Sequence, residues 1–208
     1  MEIFNYGNAS DIVLIQPVDD HDLAAISSEI RLISEMTQTD FQMIAVKVDR
    51  WNHDLSPYPA PAVFGNEAFG DGAADTLKLI ANLCTGHSKT YYLGGYSLAG
   101  LFALWTAYQT DLFAGIAAAS PSVWFPDFSA YMQENPLKTN RVYLSLGDRE
   151  ERTRNPVMAT VGDCIRADFE LLKQRGIACT LEWNKGNHFK EPELRMAKAF
   201  AWLLQKGI

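Results

Sequence analysis

The sequence predicts an α/β protein with a mostly parallel central sheet and helices on both faces. Three observations carry this expectation. Short apolar runs alternate with longer stretches whose apolar residues recur every three or four positions, the order of consecutive βαβ units. The composition is globular, 48% hydrophobic, 21% charged and 12% aromatic over 208 residues, a length that lets one domain bury a large core. No internal repeat, low-complexity segment or linker interrupts the alternation, so residues 1–208 read as one domain.

The elements follow in order. Residues 3–6 add a possible edge strand, and the apolar run 11–16 (DIVLIQ) is a buried strand. Leu23, Ile26, Ile30 and Ile33 give 21–36 a helical period, and 41–48 (FQMIAVKV) is the second strand. Residues 49–72 are a long irregular stretch, prolines and aromatics crowding at 57–61. Leu77, Ile80 and Leu83 mark a helix over 75–83, followed by a strand at 90–94 (TYYLG), an apolar helix at 98–108 and a strand at 113–119. A strand at 141–146 (RVYLSL) precedes a long helix at 157–174, with Gly176 just past its end. A last strand at 178–183 (ACTLEW) and a helix at 192–205 close the chain.

Composition narrows the function. The net charge is −7 and no Lys/Arg run tracks phosphates, which argues against nucleic-acid binding. No apolar run approaches the ~20 residues that cross a bilayer, and the start Met1-Glu2-Ile3-Phe4-Asn5 lacks the pattern of a signal peptide. The expectation is a cytoplasmic protein that does not engage membranes; its oligomeric state is not legible. Cys84, Cys164 and Cys179 are odd in number and lack CxxC spacing, so they read as reduced and structural. No HExxH, Cys/His metal spacing or phosphate-cradling glycine loop is present. The cluster Asp19-Asp20-His21-Asp22 reads as a polar loop and helix N-cap rather than a metal site. No cofactor or metal is expected.

The chemistry centres on Gly95-Tyr96-Ser97-Leu98-Ala99-Gly100, which follows the strand at 90–94 and opens the helix at 98. A serine on such a tight strand-to-helix turn is pushed out above the sheet, and the helix N-terminus offers free N–H groups. The alternative is a serine that only caps the helix. Ala99 stands where the usual pattern has glycine. A nucleophilic serine needs a base. His188, in Gly186-Asn187-His188-Phe189 directly after the last strand, belongs at the same sheet edge. His87 precedes the serine's strand and belongs at the opposite end, whereas His21 and His53 follow strands and could line a pocket. An imidazole base needs an acid. Asp148, the first acidic residue after the strand at 141–146, is the first choice, with Glu150 and Glu151 as alternatives. The oxyanion of the intermediate needs two N–H donors. Leu98 supplies one and Val18 the other, because Pro17 has none. Among the aromatics Trp51, Tyr58, Phe64, Phe69, Trp124 and Phe125, the substrate-binding candidates are Trp51, Tyr58 and Trp124.

These residues resemble the esterase branch of the α/β-hydrolases that includes enterochelin-esterase-like, feruloyl-esterase-like and S-formylglutathione-hydrolase-like proteins. The likeness spans the chain and is carried by GYSLAGL at 95–101, SPSVWF at 120–125 and GNHF at 186–189. It implies a compact α/β-hydrolase fold and cofactor-free hydrolysis of a carboxylic ester, with Ser97, His188 and Val18 in the family's roles. Pro17 occupies a position where relatives often carry glycine, and the family does not settle which acid is used. The chain is short for the fold, which implies no separate lid domain.

The expected function is therefore a serine esterase acting on a small-molecule ester through an acyl-enzyme. The same parts would serve an acyltransferase. A catalytically degenerate binding module is the non-enzymatic alternative, against which the pairing of Ser97 with His188 argues.

Overall fold

The structure is a computed structural model and describes residues 1–86 and 88–205. Its strands are β1 (Glu2–Tyr6), β2 (Ile12–Val18), β3 (Gln42–Lys47), β4 (Thr90–Tyr96), β5 (Gly115–Ala119), β6 (Arg141–Gly147) and β7 (Ala178–Asn184). The helices are α1 (Asp20–Thr37), α2 (Trp51–Asp54), α3 (Ala73–Leu83), α4 (Leu98–Gln109), α5 (Phe128–Glu134), α6 (Val161–Gln174) and α7 (Pro192–Leu204). The seven strands form one sheet in the order β1-β3-β2-β4-β5-β6-β7. β1 is antiparallel to β3, and the other pairings are parallel.

Side-chain alternation explains how the sheet is covered. Val13 and Ile15 of β2 join one core with residues of α3, α4 and α6, whereas Leu14 and Val18 join a second with residues of α1 and α7. Every residue from Leu98 to Tyr108 is buried, so α4 is apolar around its whole circumference rather than on one stripe. Close approach of α7 to the sheet depends on Gly94, where an added Cβ would lie 2.5 Å from the Phe200 ring. β2 pairs with β4 only from Ile12↔Thr90 to Ile15↔Leu93. Pro17, which has no N–H to give, lies beyond that last rung in a strand that is otherwise central.

Several expected elements differ in detail. Residues 49–72 are not wholly irregular: α2 opens them, and Ala60 and Phe69 pair in an antiparallel bridge. The strand expected at 113–119 starts only at Gly115, because Phe113 is a buried loop residue. The helix expected from 157 begins as a 3-10 turn at Met158–Thr160 and becomes α-helical at Val161. The expected edge strand is present and runs antiparallel.

Candidate functional site

Ser97 occupies the turn between β4 and α4 with φ 57° and ψ −121°, a strained backbone for a side chain with a Cβ. The surroundings hold it there. Its N–H donates to Ala119 O (3.2 Å), and its carbonyl accepts from Ser122 N (3.0 Å) and Leu101 N (3.1 Å). A Cβ at residue 95 would lie 2.4 Å from the Ala99 carbonyl. The turn therefore requires glycine at 95 and, with Ala99 seated against it, accepts alanine at 99. Leu98 is the first residue of α4, so its N–H has no acceptor within the helix.

Three side chains meet above the C-terminal ends of the strands. His188 Nε2 is 3.0 Å from Ser97 Oγ, and His188 Nδ1 is 2.7 Å from Glu150 Oε2. The other Glu150 oxygen accepts from Ser120 Oγ (2.7 Å), the Gly147 N–H (2.7 Å) and Arg195 Nη1 (2.6 Å). Burial alone would push the Glu150 carboxyl up. The hydrogen bond and charge of His188, with those from Ser120 and Gly147, outweigh it and hold the carboxyl below the usual glutamate range.

The carboxylate that contacts His188 is thus that of Glu150 and not that of Asp148, the first choice from the sequence. The chain after β6 turns back on itself, with Glu150 N donating to Gly147 O (3.1 Å). That reversal swings residue 150 inward over the sheet end and leaves Asp148 exposed at the tip. The Asp148 carboxylate instead accepts from Gly186 N (2.8 Å), tying down the loop that carries His188. Glu151 pairs with Arg166 at 3.1 Å.

Arg195 was not anticipated from sequence. It is 1% exposed. Besides Glu150 it donates to Ser120 Oγ (2.9 Å), Tyr96 OH (3.1 Å) and the Asn187 carbonyl (2.8 Å). Tyr96 OH donates in turn to the His188 carbonyl (2.6 Å). The available signal was an arginine spaced four residues from Ala199 and eight from Leu203, on the apolar stripe of α7, where a charge demands a partner. Ser122 was also missed as a neighbour of the serine, its Oγ 3.4 Å from Ser97 Oγ. It lies in the SPSVWF segment at the same sheet edge.

Two cavities open on Ser97 and His188. The larger, about 460 Å³, is walled by Trp51, Phe64, Trp124, Met158, Val161 and Phe189. The smaller, about 190 Å³, is bordered by Asp19, His21, Asp22, Trp51, Tyr96 and Phe189, among others. Tyr58 reaches neither wall: its OH donates to Pro126 O (2.8 Å) and its ring packs on Phe125 at 5.3 Å. Phe69 and Phe125 are core residues. His53 pairs with Asp54 at 3.0 Å, away from Ser97, and His87 lies outside the described residues.

Val18 closes the β2–β3 ladder opposite Lys47 and is fully buried. The residue that reaches both cavities at this junction is Asp19. It is also the N-cap of α1, accepting from Asp22 N at 2.8 Å. Burial pushes the Cys84 thiol up to about 11 and raises Cys164 and Cys179 as well, so none is poised as a thiolate.

No protein-family model matches the chain, and no curated protein matches it. Solved structures do. A siderophore hydrolase, EstA from Aspergillus nidulans, superposes with a TM-score of 0.71 at 18% identity, covering 95% of this chain and 85% of that one. An IroE-like serine hydrolase from Shewanella oneidensis gives 0.74 at 15% identity over 93% of this chain and 70% of its own. The enterobactin esterase FES from Shigella flexneri gives 0.66 at 13% identity over 97% of this chain and 54% of its own. With its mostly parallel sheet and the serine turn between β4 and α4, the chain has the α/β-hydrolase fold in the form shared by these esterases and serine hydrolases.

Proposed function

We propose that the protein hydrolyses carboxylic esters, with Ser97 as nucleophile, His188 as base and Glu150 as acid. The observation that supports this best is the unbroken hydrogen-bonded chain from Ser97 Oγ through both ring nitrogens of His188 to a buried carboxylate. In this reading Ser97 Oγ attacks the ester carbonyl as its proton passes to His188 Nε2. The imidazolium is stabilised by Glu150, which remains ionised throughout. The Leu98 N–H and a main-chain N–H at the Val18–Asp19 junction meet the oxyanion; with Val18 at the last ladder rung, Asp19 carries the first N–H past the sheet. Collapse of the tetrahedral intermediate breaks the ester C–O bond, and His188 returns the proton to the departing alcohol. Water, deprotonated by His188, then releases the acid and frees Ser97. The larger, aromatic-walled cavity suits an apolar or aryl acyl group. An aryl acyl compound, 2,3-dihydroxy-N-benzoyl-glycine, accompanies the Shigella esterase.

A fluorophosphonate probe and a panel of aryl and alkyl esters test this. Wild-type protein should label at Ser97 and turn over esters. Ser97→Ala should do neither while its stability changes by no more than ~1 kcal/mol, since Ser97 Oγ makes no cap hydrogen bond to α4. His188→Ala should lower kcat by ~10⁴-fold or more. Labelling that persists in Ser97→Ala, or wild-type turnover in either variant, would overturn the assignment.

A further inference from the structure

We propose that the smaller cavity receives the alcohol portion of the ester and selects an alcohol that carries a positive charge. The inference rests on the hydrolase reading above. The cavity lies along the loop and helix start that bear His188, Phe189 and Pro192, the side from which His188 hands a proton to the leaving group. Its volume, about 190 Å³ against about 460 Å³ for its neighbour, assigns it the smaller part of the substrate.

Two independent features of its walls point to a cation. One is aromatic: Trp51, Tyr96 and Phe189 border it, and ring faces attract ammonium groups. Phe189 is 86% exposed at the rim common to both cavities, an apolar surface that a bound substrate would cover. The other is acidic: Asp19 and Asp22 line the cavity, and no Lys or Arg among the described residues does. Asp19 has a structural task, capping α1 through Asp22 N. The Asp22 carboxyl, in the first turn of the same helix, has a backbone hydrogen bond at Asp19 but no ion pair or hydrogen-bonding side chain among the described residues.

The electrostatics agree. Burial, then the charge of Asp19, push the Asp22 carboxyl up to about 7 against the opposing effects of its backbone hydrogen bond and of His21 and His188. Glu29, further along α1, is buried, faces Asp22 and Glu193, and is pushed well above the usual glutamate range. A carboxyl that no ion pair neutralises, bordering the cavity of a reacting serine, is stabilised by an arriving cation, which draws off its proton. An anionic alcohol would meet the repulsion of the Asp19 and Asp22 carboxylates.

The test holds one acyl group constant and varies the alcohol among choline, its uncharged isostere 3,3-dimethylbutanol, and glycerol. At pH 8 the choline ester should exceed the dimethylbutyl ester in kcat/KM by ~10-fold, the effect of about 1.4 kcal/mol of cation binding. That ratio should shrink several-fold between pH 8 and pH 6 as Asp22 takes up its proton. Taking a ratio removes the titration of His188, which acts on both esters. Asp22→Asn should bring the ratio toward one at pH 8. Choline, and not 3,3-dimethylbutanol, should slow fluorophosphonate labelling of Ser97. Turnover with a ratio near one, or with glycerol preferred, overturns the charge selection. A ratio that changes neither with pH nor in Asp22→Asn overturns its assignment to Asp22. Turnover of none of the esters together with no labelling overturns the hydrolase reading itself.

Discussion

Glu150 and Asp148 are two residues apart and carry the same charge, yet their surroundings give them different work. Glu150 is closed in by His188, Ser120, Gly147 and Arg195, whereas Asp148 holds a loop N–H at the surface. Glu150→Gln should lower kcat by ~10³–10⁴-fold, because an amide cannot stabilise the imidazolium and can impose the wrong tautomer. Asp148→Asn, which keeps an acceptor for Gly186 N, should cost less than ~10-fold; equal losses would return the acid assignment to Asp148. Arg195 reaches both the acid and the Asn187 carbonyl beside His188. Removing its charge strands a buried carboxylate, a loss of about 3–5 kcal/mol of stability. Arg195→Lys should recover part of the stability but little of kcat, since one ammonium cannot span the separate acceptors that the guanidinium bridges. The local pattern around Ser97 and His188 is readable because each lies within a few residues of a strand end. Glu150 is not, because a turn, rather than distance along the chain, decides which of three neighbouring acids faces inward. Arg195 is legible only as an anomaly on an apolar stripe, since its partners lie 45 and 75 residues away in the chain.

At the scale of elements, the segment from 49 to 72 divides into two kinds of aromatic. Trp51, at the start of α2, borders both cavities, whereas Tyr58 is bonded and packed into the neighbouring loop. Trp51→Ala should change kcat/KM unequally across an ester panel with a small shift in melting temperature. Tyr58→Ala should lower all activities together with stability, by about 2–4 kcal/mol for a lost part-buried ring and hydrogen bond. Selectivity that moves with Tyr58 and not Trp51 would reverse these roles. Composition marked the segment as aromatic-rich, but the contacts that hold its rings, such as the Ala60–Phe69 bridge and the Tyr58–Pro126 hydrogen bond, are not apparent in the sequence. The sheet was more legible: period-2 alternation and buried runs mark strands wherever both faces are covered. Edge strand β1 was harder to place because its side chains alternate between exposed and half-buried.

Across the whole molecule, buried carboxyls pull stability in two directions. Asp168, 1% exposed with an unpartnered Oδ2, is pushed up to about 7 by burial; Asp22 and Glu29 are raised as well. Each binds its proton more tightly when folded, so its contribution is complete below the ordinary aspartate or glutamate value and fades as pH rises through the folded one. Glu150 is lowered, and its contribution fades as pH falls below the ordinary 4.5. Stability should therefore be greatest near about pH 4–5 and decline from there to about pH 7, by at most about 1.4 kcal/mol per pH unit for each linked proton. Asp168→Asn, neutral at every pH, should flatten that decline in chemical-denaturation titrations; an unchanged slope would remove Asp168 from the account.

The order in which the chain leaves the ribosome gives the Arg195 contacts a further meaning. Ser97, its turn and most of the sheet are synthesised well before His188 and α7, and domains fold from the N-terminal side as they emerge. Until α7 docks Phe200 against Gly94 and Arg195 against Glu150, the serine sits on its strained turn without a secured base or acid. Under the proposed hydrolysis, a nascent chain is therefore unreactive toward esters until α7 docks, and reactivity arrives with that helix.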